Sequence, residues 1–178
     1  FKRLPDRGYL LAKPLGLLFL AYPTWLIVSL KLVHFEQSTL LVILALMLFA
    51  GAAVLIRNAA DVVGFVRANW KLIVFCELLF LAAFFFSREV RMLNPDLWHP
   101  ARGGEKPMDL AYFTAVTRST TLPPYDPWFA GGYINYYYLG QFFSAVMAKL
   151  TTVPPEIAYN LVVPTYFAFM AGAAFLVG

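Results

Sequence analysis

Residues 39–56 run for eighteen positions without one charged side chain. A soluble domain has no place for such a run, whereas a bilayer core asks for about 20 apolar residues in a helix, because lipid leaves every backbone N–H and C=O to be satisfied within the segment. Comparable runs cover 14–33, 70–87 and 157–178, and a fifth covers 135–150, short and polar at its start. With 61% hydrophobic and 13% charged residues in 178, too little polar surface remains for a water-soluble fold. The pattern predicts a single all-α, polytopic membrane domain of about five spans, its bilayer the first partner. No internal repeat, heptad or low-complexity tract competes with it.

The 14 basic against 10 acidic residues would suggest nucleic acid in a soluble protein. Here they flank apolar runs, where they orient helices, and no nucleic-acid partner is expected. Lys2, Arg3, Arg7 and Lys13 precede the first span, Arg57, Arg67 and Lys71 flank the loop after the second, and Lys149 ends the fourth. The positive-inside rule makes those ends cytoplasmic and places the His34–Glu36 turn and the long segment 88–134 on the other side, outside the cytoplasm of a plasma-membrane protein. Cys76 is the only cysteine, so no intrachain disulfide and no CxxC-type metal site can form. A start at Phe1 and a stop at Gly178 inside an apolar run predict a fragment of a longer protein.

Segment 88–134 holds most of the acids: Glu89, Asp96, Glu105, Asp109 and Asp126. Within it Pro107 suits a first helical turn, and Met108, Ala111, Tyr112, Ala115 and Val116 recur at helical spacing, which predicts a short amphipathic surface helix over 107–119. Asp109 falls in its first turn and Glu105 just before it. Asp109 then reads either as an acid that stabilises the helix dipole or as a general base for an acceptor hydroxyl. Asp96 and His99 in NPDLWHP read as turn and loop hydrogen-bonding residues. No His, Asp or Glu cluster has a metal-ligand spacing, so no divalent metal is evident.

The stretch PYDPWFAGGYINYYYLGQ joins this segment to the fourth span. Pro123, Pro124 and Pro127 stiffen it, Gly131 and Gly132 permit a turn, and Asn135 is placed to cap the following helix. If that helix begins at Asn135, Tyr136, Tyr137 and Tyr138 point about 100° apart, and Tyr138 shares a polar stripe with Asn135 and Gln141 that suits a cavity better than lipid. Tyr136, Tyr137 and Trp128 read equally as interfacial aromatics. Glu77, inside the third span, costs about 2.5–3.5 kcal/mol on insertion scales, and a contact to Tyr22 or Thr24 would offset part of that.

Taken together, PDRGY, KPLG, NPDLWHP, GGEKPMD, PPYDPWFAGGYINYYYLG and PPEIAYNL resemble the YYY-type membrane proteins of archaea and Chloroflexi, over nearly the whole chain. That family looks like the GT-C class of polytopic glycosyltransferases, whose first large external loop carries an acidic motif and whose donor is a sugar on a polyprenyl-phosphate-type lipid. Full-length members have a helix before PDRGY and many more after the equivalent of Gly178. The resemblance implies that Asp109 is the catalytic acid of a DExxY-like motif in MDLAYF. Leu110 stands where many relatives have a second acid, and Glu105 is the carboxylate left to replace it. Arg102, Lys106 and Arg118 are the cations placed to pair with a donor phosphate, or to bind lipid headgroups. Asp126, Trp128, Asn135, Tyr138 and Gln141 complete the candidate substrate contacts. Two other readings stay open: a non-catalytic subunit packed against other membrane protein subunits, and, last, a transporter, for which Glu77 is the only midplane ionisable residue.

Overall fold

The computed structural model describes residues 4, 6–94, 96 and 104–177. Those residues form six helices and no strand: α1 Tyr9–Ser29, α2 Gln37–Arg57, α3 Ala59–Met92, α4 Lys106–Arg118, α5 Leu139–Thr151 and α6 Pro155–Val177. Four of them, α1, α2, α3 and α6, are long and apolar enough to cross a membrane. The all-helical polytopic architecture expected from the apolar runs is therefore present.

The run at 135–150 is a different object. Its helix begins only at Leu139 and has 13 residues, about 20 Å at 1.5 Å per residue, against a hydrocarbon core of about 30 Å. It is apolar because it is packed: Phe142, Ser144, Ala145, Val146 and Ala148 are all buried. The expected loop between the second and third spans is helical instead, since AADVVGFVRA contains no proline and continues into α3 across a kink at Asn69 (φ −120°, ψ 20°).

α1 starts where the sequence PDRG dictates. The buried Asp6 carboxylate accepts the Gly8 N–H at 2.8 Å and the Leu10 N–H at 2.9 Å, relieving donors that a helix start leaves unpaired. Arg7 then pairs with Asp61 at 3.4 Å and lies 4.8 Å from the Phe65 ring centre, docking the N-terminal segment on the first turns of α3. Along their length α3 and α6 run antiparallel, with ring pairs Phe75–Phe175, Phe80–Phe169 and Phe86–Phe167 at 5.2, 5.9 and 6.1 Å.

At the opposite end of the bundle lies a cluster of fully buried side chains. Phe35, from the α1–α2 turn, is fully buried against Phe142 of α5, ring centres 4.6 Å apart, beside Phe113, Val116 and Val146. Its N–H donates to the Thr120 carbonyl at 2.7 Å, so the His34–Glu36 turn and the long polar segment do share one end of the bundle. Lys149 lies there too, its ammonium donating to the Phe35 and Ser119 carbonyls. This corrects the expectation that Lys149 marks the other end with Arg7: a helix too short to cross leaves its last turn on the side of α4. Outward faces of α2 and α3, with Leu46, Leu48, Phe49, Leu78 and Phe86 exposed, present the apolar surface that lipid requires.

Candidate functional site

Pro107 opens α4, as the sequence suggested, and Glu105 stands at its N-cap without a side-chain capping bond. The Asp109 N–H donates to the Glu105 carbonyl at 2.9 Å. Asp109 itself is half-buried and faces a cleft of about 210 Å³ between α4, α5 and α6, lined also by Phe113, Gln141, Ser144, Tyr159 and Tyr166. Its carboxylate has no ion pair and no side-chain hydrogen bond among the described residues. Burial pushes its pKa above the ordinary carboxylate value, and the nearby charge of Glu105 adds to the rise. Ser144 lies with its hydroxyl 3.2 Å from that of Tyr166, and its own bond goes to the Gly140 carbonyl at 3.0 Å. The cleft thus offers a basic carboxylate, a carboxamide and hydroxyls against apolar walls.

Of the residues singled out from sequence, Asp109 and Gln141 meet in this cleft. Glu105 is exposed and acts on Asp109 through its charge. Lys106 donates to the Asp96 carbonyl at 3.3 Å. Arg118, at the other end of α4, lines a separate recess of about 440 Å³ with Ser119, Thr120 and Asp126. Asp126 folds the turn there, accepting the Trp128 N–H at 2.8 Å, and Trp128 is exposed at its tip. Arg102 and His99 lie outside the described residues.

The polar stripe does not form. Residues 135–138 are not helical, so the 100° spacing does not apply to them, and the N-cap of α5 is Tyr138 rather than Asn135. Asn135 is exposed. Tyr136 stacks on Tyr112 with ring centres 6.0 Å apart, Tyr137 is exposed, and the Tyr138 hydroxyl accepts the Trp25 indole N–H at 3.2 Å. Ahead of them Tyr125 and Tyr133 form a small hairpin, rings 4.9 Å apart, closed by Gly131 at φ 80°. The ring of Phe129 occupies the space a side chain at Gly132 would need. Tyr138→Phe is expected to cost about 1 kcal/mol by stranding the Trp25 donor, and Tyr136→Phe about nothing; equal melting temperatures for the two variants would contradict the Trp25 contact.

Glu77 accepts a hydrogen bond from Lys13 of α1. The anticipated contact to Tyr22 or Thr24 does not form among the described residues, because Glu77 lies level with Lys13, roughly two and a half turns earlier on α1. Sequence reasoning missed Ser144, Tyr159 and Tyr166. The signal was there: Tyr159 and Tyr166 are seven residues apart, two turns on one helix face, and Ser144 follows Gln141 by three. Among the described residues no three His, Cys, Asp or Glu side chains gather to hold a metal ion.

No curated protein and no solved structure matches the chain. The model of the uncharacterized membrane protein family DUF2298 matches residues 19–178, and with its four apolar helices the chain is an integral membrane protein that belongs to that family.

Proposed function

We propose that the Asp109 cleft is the acceptor-activating part of a GT-C-like glycosyltransferase of the YYY type, whose donor is a sugar on a polyprenyl-phosphate-type lipid. One observation carries the reading: a half-buried carboxylate with no partner among the described residues, opening into a cleft inside an apolar bundle. Structural acids are paired or hydrogen-bonded when buried; an unpaired one with a raised pKa fits a base. In the step proposed, Asp109 takes the proton of an acceptor hydroxyl as the hydroxyl oxygen bonds to the anomeric carbon. The bond from that carbon to the donor phosphate oxygen breaks, and the lipid phosphate leaves with the electron pair. Glu105 keeps Asp109 basic without touching the reacting atoms. The test is release of polyprenyl phosphate from a lipid-linked sugar by the full-length protein, with and without Asp109.

A second reading, a non-catalytic subunit in a membrane assembly, draws on the exposed aromatic hairpin of Tyr125, Trp128, Phe129, Tyr133 and Tyr137. That surface fits a neighbouring membrane protein or the bilayer interface. Co-purifying partner chains lost on Trp128→Ala, with no transfer detectable, would favour it.

The reading also puts the α4 end of the bundle outside the cytoplasm, in the plasma membrane. In a Cys76→Ser background, Thr121→Cys is expected to react with an impermeant thiol reagent from outside, and Asn58→Cys from inside. The reverse pattern would place the cleft on the cytoplasmic face and remove the proposed site from an extracytoplasmic acceptor.

A further inference from the structure

Two asparagines cut one piece out of the connection between the second and third apolar helices. Asn58 and Asn69 share a non-helical backbone, φ −120° with ψ 21° and 20°, and each side chain donates to the carbonyl four residues earlier, Val54 at 2.8 Å and Phe65 at 3.0 Å. Between them residues 59–68 are helical. Neither neighbour needs them to cross a bilayer. At 1.5 Å per residue, the 21 residues of α2 span about 31 Å and the stretch from Trp70 to Met92 about 34 Å, while a hydrocarbon core takes about 30 Å. As a straight continuation, 59–68 would add about 15 Å more. The kink at Asn69 ends the crossing helix there and leaves 59–68 to run along the end of the bundle away from the Asp109 cleft, joining two crossing helices of opposite direction.

Arg7 settles how this piece is turned. It pairs with Asp61 at 3.4 Å and lies 4.8 Å from the Phe65 ring centre. Asp61, Phe65 and Ala68 follow at four- and three-residue spacing and share that docked face; Val62, Val63 and Val66 share the other, and all three are exposed. Trp70, exposed just beyond the kink, adds an aromatic of the kind that sits at headgroup level. Around this apolar face stand Arg57, Arg67 and Lys71, exposed and without an ion pair among the described residues. Asp61 is the one acid in the stretch 57–71, and Arg7 already neutralises it.

We propose that residues 59–68 lie in the bilayer interface as an anchor selective for anionic lipids, with the valine face among the acyl chains and Arg57, Arg67 and Lys71 on the headgroups. Two observations fix the occupant. The valine face is continuous at both ends with helices that cross the membrane and expose apolar side chains outward, so the phase that covers those helices also covers it. The unpaired cations around it give the rim a net positive charge, which attracts lipids of net negative charge over zwitterionic ones. The inference depends neither on the transfer reading nor on which side of the membrane this end faces.

The experiment places a bimane probe on Val63→Cys or on Ala68→Cys in the full-length Cys76→Ser protein. Both positions are exposed, so neither cysteine replaces a packed side chain. The protein is reconstituted in mixed vesicles of phosphatidylcholine and phosphatidylglycerol, one or the other carrying bromine on its acyl chains. The probe at 63 is expected to be quenched by brominated chains about twofold or more beyond the probe at 68, and aqueous iodide should show the reverse order. At position 63, brominated phosphatidylglycerol should quench about twofold more than brominated phosphatidylcholine at the same mole fraction. Arg67→Gln with Lys71→Gln should level the two lipids while quenching by bromine persists, and Lys31→Gln, at the other end of the bundle, should leave the preference unchanged. Quenching at 63 by iodide and not by bromine overturns the proposal by placing the segment in water. Protection from both quenchers overturns it by revealing a protein cover, and equal bromine quenching at 63 and 68 removes the assignment of faces. Equal quenching by the two brominated lipids overturns the anionic selectivity whether or not the double variant folds. So does a preference that survives Arg67→Gln with Lys71→Gln.

Discussion

Asp109→Asn is expected to lower sugar transfer by about 100-fold or more, the range for loss of a general base, with expression and membrane insertion unchanged. The amide keeps the size of the carboxylate and removes its basicity. The folded protein tolerates the change because Asp109 makes no ion pair or side-chain hydrogen bond among the described residues that the amide would lose. The pH dependence sharpens the test. Burial first, and the Glu105 charge second, raise the Asp109 pKa above its ordinary 3.8. The acid limb of the transfer profile should therefore lie above that of an ordinary aspartate, and Glu105→Gln, by removing the neighbouring charge, should move it down while costing less activity than Asp109→Asn. For stability the sign runs the other way. A carboxyl whose folded pKa is raised contributes stability present below the unfolded value and lost as pH rises through the folded one. At neutral pH the asparagine variant should be at least as stable as the wild type. Full transfer by Asp109→Asn would move catalysis elsewhere in the molecule.

The second large effect is on stability. Lys149→Met is expected to destabilise the protein by about 1–3 kcal/mol, because it strands the Phe35 and Ser119 carbonyls that the ammonium now bridges. It also loses a cation 4.2 Å from the Phe35 ring centre. In a chain of this size that is a fall in Tm of roughly 2–12 °C, measurable in detergent. Lys149→Gln, which keeps a donor, should recover part of it. Burial pushes the Lys149 pKa from its ordinary 10.5 down to about 8. Between those values the unfolded chain holds more protons than the folded one, so stability should climb with pH across that window in the wild type and stay level there in Lys149→Met. A wild-type Tm matched by Lys149→Met would show that the bridge contributes nothing.

The two sites differ in how far their sequence announced them. Asp109 was legible because its position depends on local signals: a proline at the first turn, helical spacing behind it and an acid in between. The long spans were legible for the same reason, since length and hydropathy are properties of one segment. Lys149 was misplaced because its partners lie 30 and 114 residues away, and a rule about flanking charges has no access to them. α5 was misread as a crossing because an apolar run of that length serves a buried core helix as well as a membrane span. The tyrosines failed in turn, their directions having been derived from a helix that starts four residues later than assumed. Ser144, Tyr159 and Tyr166 carried a signal in their helical spacing, but that these faces of α5 and α6 meet Asp109 of α4 is a property of the assembled bundle and of no single segment.

The antiparallel contact of α3 with α6 sets a timetable as well as a geometry. Phe80 meets Phe169 across 89 residues of chain, and α6 supplies the third wall of the cleft. Synthesis delivers the N-terminal segments first, and non-local pairings wait for their later partner. During biogenesis the kinked α3, with Arg91 at its end, must reside in the bilayer with its aromatic face in lipid until α6 leaves the ribosome. Before that moment Asp109 and Gln141 have been made and have nothing between them to enclose.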